Sequence, residues 1–500
     1  MRRSARDALG LLTCLIFLAG CGPTVSIPHP RIFNRPQLVL GVPRSGLNPF
    51  IHHGKAHNWV ISLMYDSLLR IRPNGQIAPD IANSWKTKNH YKTFIFHLNP
   101  HAKWWNGRPV SVHDVAWTYS LYANPAAPLP SSQSLTGLIR KVQILNTSTV
   151  EVQLSHPDPG FLANVVASGN GHPILPAFMV YNVPITQLAS SSVFNKIPNM
   201  MGSGPYRPVL ANHSGIKWMA NAHYFLGIPK SHVLITTWNN SPAPDINWTS
   251  HATEGQSRVL YYQGPEYYML LYNNQQISPA ISAALPCVIN RLALARVEDH
   301  PFMPAYQPVV WSSPYHIKLP QSNPDSALAN AGYQRRHHVW INPQGHPVQL
   351  TITIPNTATA TLLANDLHHQ LTGRGWTNHV LAVPTLSTVL VHHAFMMALV
   401  KRRAMPYPAL MHDYGRSLYN YGMYDNPMFR ESLANIVSSF HSVPTTKAAL
   451  KVLLTEPPGI FLLWSQHPVF VNPEVHGFRL NSFDPLQGIQ NWTVSSHQGL

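Results

Sequence analysis

The chain has 500 residues, with 35 basic and 19 acidic side chains, 29 histidines and a formal charge of +16. That length supports more than one core, and the basic residues are scattered, which argues against a nucleic-acid surface. Two of the three cysteines fall within the first 21 residues, which excludes a disulfide framework.

Arg2, Arg3 and Arg6 precede an apolar stretch, Leu9 to Leu18, that is too short for a permanent membrane span. The small residues Ala19 and Gly20 follow, then Cys21. This is a secretory signal layout over residues 1–20. Leu18-Ala19-Gly20-Cys21 reads as a lipobox, with cleavage before Cys21 and a diacylglycerol on its sulfur; the alternative is an ordinary signal peptide with an incidental cysteine. Several acyl chains on one residue give stable anchoring where one does not. Residues 21–36, rich in proline and polar side chains, read as an extended tether. No later apolar run is long enough to span a membrane.

Gln37 to Val42 predicts a strand entering the loop Pro43–Pro49, which carries Ser45. The apolar spacing from Trp59 to Ile71 predicts a helix, and Pro73-Asn74-Gly75 a turn. Thr93 to Leu98 alternates as a strand. Asn106-Gly107 is a turn. Ser111 with Asp114 three residues on is a capping box for a helix carrying Val115, Trp117, Tyr119 and Leu121 and ending near Asn124-Pro125. Val150 to Leu154 is a further strand. The pattern restarts after residue 265: a buried-type strand at Tyr267–Tyr272, a helix at Ile281–Ala295, a strand at Leu350–Ile354 and an amphipathic helix at Thr359–Thr372. Cys287 lies in an apolar stretch and reads as a buried small hydrophobe. Strands and helices alternating in two blocks predict a two-lobed α/β protein.

The scarcity of carboxylates bears on pH. Few acidic groups must be protonated in acid, so stability should stay nearly flat from neutral pH to about pH 4 once the histidines have titrated near their usual pKa of about 6.5. This favours an acidic external habitat, with compositional drift as the alternative.

YDSLLRIRPNGQIAPDIANSW (65–85), the stretch from Phe94 to Pro125 with WWNGRPVSVHDVAWTYSLYANP, and GSGPYRP (202–208) resemble the signature segments of the family 5 extracellular solute-binding proteins of ABC importers. LLYNNQQISPAISAALPCVINRLAL (270–294), NPDSALANAGY (323–333) and EPPGIFLLWSQHPVFVNPEVHGF (456–478) follow in the family's order. The resemblance implies a type II periplasmic-binding-protein fold with an inter-lobe ligand cleft. Lobe I would span 37–264, with 470–500 returning to it, and lobe II 265–469. Trp85, Trp104, Gly107, Asp114 and Pro205 fix turns, caps and packing rather than touch ligand, and Asn273 orders a lobe crossover. The implied function is a lipid-anchored, monomeric, extracytoplasmic receptor that passes a peptide-like or other small polar solute to a membrane permease, with no cofactor and no catalytic residue.

The departures concern chemistry. The family's aspartate before the helical arginine is Asn290 here, before Arg291, and an arginine is replaced near Ser282. Where peptide-binding relatives hold an aspartate against the ligand's α-amine, HHAFMMALVKRRAMPYPALMHDYG (392–415) has no carboxylate before Asp413. Met396 and Met397 stand near the expected clamp. Arg402 and Arg403, beside Lys401, suit a carboxylate or phosphate, the alternative being a solvated basic turn. Tyr122 and Tyr407 could cover an apolar body. These residues predict a preference for anionic or amine-blocked ligands.

No hydrolase, metalloprotease or phosphate-loop motif occurs. His52-His53 with His57, His337-His338, His368-His369 and His392-His393 leave one alternative, a surface lipoprotein binding nickel or zinc.

Overall fold

The computed structural model describes residues 37–51, 55–129, 134–167, 172–249, 258–297, 302–318, 328–408, 410–415, 417, 419–438 and 443–495. The signal segment, Cys21 and the tether lie outside the described residues, as do His52 and His53.

The fold is the two-lobed type II arrangement, built on one sheet of eleven strands among the described residues. Gln37–Gly41 lies parallel to Val233–Thr237 on one side and to Ile246–Asn247 on the other. Val233–Thr237 continues antiparallel through Gly215–Ala220 to Tyr206–Ala211. In the second half, Gln349–Pro355 is parallel to both Thr377–Val383 and Met397–Arg403. Two long strands, Arg258–Tyr272 and Gly459–Val471, join the halves and pair antiparallel along their length. The chain therefore passes between lobes inside continuous strands.

Local chemistry sets the first lobe. The Ser111 hydroxyl accepts from the Asp114 N–H, and the Asp114 carboxylate accepts from the Ser111 N–H at 3.0 Å, so helix Val112–Tyr122 starts at the expected capping box. The Gly-Ser-Gly turn of 202–204 lies on the end of helix Lys55–Met64. A Cβ on Gly202 would sit 2.1 Å from the Met64 carbonyl, so only glycine fits. Trp105 Nε1 donates to the Gly204 carbonyl at 3.0 Å, which ties two signature segments together.

Three expectations are corrected. The helix predicted over 59–71 ends at Met64, and Leu69–Ile71 is a strand paired with Ile77–Pro79. Apolar residues recur at helical spacing on both sides of Asp66-Ser67, so periodicity did not divide them. The helix predicted over 281–295 is two, Pro279–Val288 and Arg291–Leu294, because the Asn290 side chain caps the second by accepting from Leu292 and Ala293. Cys287 is exposed, on the outer side of the first helix's last turn.

A large core fills the first lobe and runs under one face of the second half-sheet. A smaller core lies on the other face, against helix Ala358–Gly373. Strand Met397–Arg403 shows the division. Ala398 and Val400 belong to the large core, Met397 and Leu399 to the small one, as a period of two requires. No helix of the described residues is long and apolar enough to cross a membrane.

Candidate functional site

The strand Arg258–Tyr272 is continuous, but its pairing is broken in the middle. Its pairing with Gly459–Val471 shifts register between Gln263 and Tyr267, where Gly264 and Pro265 stand. A bulge of this kind re-aims the side chain behind it. That side chain is Glu266, which faces a cavity of about 240 Å3 lined from both halves of the chain. Trp59, Trp248, Tyr262 and Phe483 form aromatic walls, and Arg403 and His467 complete the polar side.

Glu266 and Arg403 are cross-strand partners in the pairing with Met397–Arg403. Opposite charges meet on one face there. Glu266 is only 6% exposed, and His467 Nε2 lies 3.6 Å from its Oε2. Gly264 makes room for this contact, since a Cβ there would stand 2.6 Å from the His467 ring. Tyr262, the cross-strand partner of His467, lies with its ring centroid 5.4 Å away. Burial first, and the Glu266 charge second, push the Tyr262 phenol above its usual pKa, so it stays a neutral donor. Trp59 and Trp248 stand with centroids 6.1 Å apart, and Trp248 stacks in turn on Trp492. The site thus offers an anionic pole, a cationic pole and flat apolar walls.

Of the residues the sequence singled out, the structure brings only Arg403 to this cavity. Arg402 points to the other face of its strand. It pairs with Asp413 at 3.3 Å and lies under the Tyr414 ring. Burial opposes its charge, but Tyr414, Asp413 and Tyr267 outweigh that and raise its pKa above the ordinary arginine value. Arg402 is therefore already neutralised and is no anion trap. Met397 is fully buried in the small core, and Met396 packs half-buried against it. Tyr122 is buried in the first lobe, its hydroxyl donating to the Pro173 carbonyl at 2.8 Å, so it has no face for a ligand. Tyr407 is also buried, edge-on to Tyr315. Ser45 is buried and donates to the Gly46 carbonyl at 3.3 Å, two residues from the cavity-lining Pro43.

Glu266, His467, Trp59 and Trp248 were not singled out. A rare carboxylate directly after Gly-Pro, inside an aromatic strand, was the available signal for the first. With Glu266 on the wall, the absence of a carboxylate from 392–412 no longer implies a site without one. The described histidine pairs stay separate: among the described residues no three His, Cys, Asp or Glu side chains converge as metal ligands would. His368 Nδ1 is hydrogen-bonded to Asn378 at 2.9 Å and His393 Nδ1 to the Tyr421 carbonyl at 2.8 Å.

Residues 76–243 match the model of the bacterial extracellular solute-binding proteins, family 5 middle. The periplasmic oligopeptide-binding protein OppA of Salmonella typhimurium is 29% identical over 173 residues, 31% of this chain and 32% of that protein. OppA of Haemophilus influenzae is 30% identical over 117 residues, 23% and 22% of the two chains. The chain thus spans about a third or less of these relatives. The fold likeness is wider. The unliganded open form of the murein tripeptide-binding protein MppA superimposes with a TM-score of 0.77 at 18% identity, over 93% of this chain and 98% of that one. NikZ of Campylobacter jejuni, solved with Ni(L-His), gives 0.61 at 20% identity, over 92% and 99%. Over residues 76–243 the chain is thus similar to the family 5 extracellular solute-binding proteins, and the superpositions show that it shares the fold of solved solute-binding proteins.

Proposed function

We propose that this protein is the lipid-anchored, monomeric receptor of an ABC importer, taking a small zwitterionic, peptide-like solute between its lobes and handing it to a membrane permease. One observation carries the ligand class: Glu266 and Arg403 face one inter-lobe cavity as cross-strand partners. Glu266 would accept the solute's ammonium, Arg403 its carboxylate, and Trp59, Trp248 and Phe483 would cover the body. At about 240 Å3 the cavity is below the roughly 300–1,000 Å3 of ordinary ligand pockets. It suits a di- or tripeptide, or one end of a longer one. OppA and MppA are named for oligopeptides and a murein tripeptide, which supports the same class, while NikZ was solved with Ni(L-His).

On this reading lobe I is 37–264 with 470–500, lobe II is 265–469, and the register shift at Gln263/Tyr267 lies at the passage between them. The chain acts by binding and release, not by catalysis.

Calorimetric titration with one dipeptide in free, N-acetylated and C-amidated forms tests the reading. The free form should bind best, and each blocked form about tenfold weaker, since one charge-assisted hydrogen bond is worth about 1.4 kcal/mol. Glu266→Gln should erase the penalty for acetylation and leave that for amidation. Equal binding of free and acetylated peptide would remove Glu266 from the role.

A further inference from the structure

A second cavity, of about 980 Å3, lies beside the open edge of strand Gly459–Val471. The strand Phe302–Pro304 covers that edge only from Leu463 to Ser465. Below it the walls are the ends of helices Pro279–Val288 and Val443–Thr455, the short helix Arg291–Leu294, and the segment 304–318.

The interior is apolar, with Val309, Ile317, Leu454, Phe461 and Trp464. Its rim carries large apolar side chains that stand in solvent: Leu292 is 61% exposed, Trp311 55% and Tyr306 44%. One such side chain is ordinary, but three around one opening mark a binding surface.

The charges are of one sign. Arg291, Lys318 and Lys451 line the cavity, and no Asp or Glu does among its described residues. Arg291 closes the sheet edge. Its Nε donates to the Phe461 carbonyl at 2.6 Å and its Nη1 to the Pro286 carbonyl at 2.9 Å, with the guanidinium 4.9 Å from the Tyr306 ring centre. These bonds use two of its five N–H donors. Burial lowers its pKa, as expected for a cation held against carbonyl dipoles and rings rather than an anion.

We propose that this cavity is a second binding site, for an amphipathic monocarboxylate whose acyl or aryl body lies against Val309, Leu454 and Trp464 and whose carboxylate meets Arg291, Lys318 and Lys451. The inference does not rest on the inter-lobe reading. It concerns another face of the protein and another class of ligand.

Calorimetric titration of the full chain with decanoate, decan-1-ol and decyltrimethylammonium, below their micelle concentrations, is the test. Decanoate should bind saturably with one site, about tenfold or more tighter than the alcohol, and the cation least. Lys318→Met with Lys451→Met should remove most of that preference. Cys287, exposed and on the cavity wall, gives an independent readout: saturating decanoate should slow its alkylation by iodoacetamide, followed by peptide mapping. Arg403→Ala and Glu266→Gln should leave decanoate binding unchanged. The proposal is overturned by any of four results: no saturable decanoate heat; equal binding of the alcohol or the cation; unprotected Cys287; or retention of the full charge preference in both the double lysine variant and a folded Arg291→Met. Loss of binding in Arg403→Ala would move the ligand to the inter-lobe cavity and overturn it as well.

Discussion

Asn164 and Tyr407 hold each other across 243 residues of sequence: the Tyr407 N–H donates to Asn164 Oδ1 at 3.1 Å, and Asn164 Nδ2 donates to the Tyr407 carbonyl at 3.2 Å. Asn164 sits in the single helical turn Phe161–Val166, and Tyr407 on the loop after strand Met397–Arg403. The amide satisfies the backbone N–H and C=O of Tyr407 together. Asn164→Ala removes both bonds. At about 0.5–1.5 kcal/mol each, the unfolding free energy should fall by about 1–3 kcal/mol in urea titration. Unchanged stability would mean the pair does not form in solution.

A prediction on pH follows from the buried carboxylates. Burial raises Asp66 to about 7, against the pull of Ser203, Tyr224 and Arg70. Burial, with Asp66 nearby, raises Asp80 well above the ordinary range. In the unfolded chain both titrate near 3.9. Between those values the native state binds more protons than the unfolded state, so stability rises as pH falls from about 7 towards 4. The thermal midpoint should therefore climb on acidification rather than stay flat, as carboxylate scarcity alone predicts. Asp66→Asn should flatten the climb. A midpoint that falls between pH 7 and 5 contradicts this account.

Arg402 and Asp413 are both largely buried at 3.3 Å. Removing one partner leaves a charge without its counter-ion, at about 3–5 kcal/mol. Asp413→Ala should therefore lower the urea midpoint strongly. Arg402→Met combined with Asp413→Leu should recover most of the loss. Similar stabilities for the single and double variants would show that the pair contributes little.

Cys21→Ala tests the anchor. Thioether lipidation has no other acceptor at that position, so the variant should appear in the soluble fraction or remain as uncleaved precursor. Membrane partitioning and processing like the parent's would refute the lipobox.

Local signals in the sequence located the capping box at Ser111 and Asp114, the alternating strands at Thr93–Leu98 and Leu350–Ile354, and the helix after Thr357, because each depends on neighbours within a few residues. The candidate site was mostly illegible. Which of Arg402 and Arg403 faces the cavity depends on the parity of a strand register, and a shift of one residue exchanges them. Glu266 meets Arg403 through strand pairing between distant segments, which no local spacing records. Tyr122 and Met397 looked available because an aromatic ring or thioether in a core has the same composition as one in a cleft. Cys287 was misjudged for the converse reason: its neighbours are apolar, but the helix turn it occupies faces out.

The passage between the lobes has a mechanical consequence. Arg258–Tyr272 and Gly459–Val471 run side by side at the centre of the shared sheet and join its two halves. The register of that pairing breaks at Gln263/Tyr267 and again at Tyr268/Met269; Glu266 stands inside the first break and Tyr262 just before it, with His467 opposite Tyr262. On the reading proposed above, a solute gripped there would act where the two halves of the sheet join, with a short lever arm. Small changes in how the two poles are held would be magnified into large displacements at the far rims of the lobes.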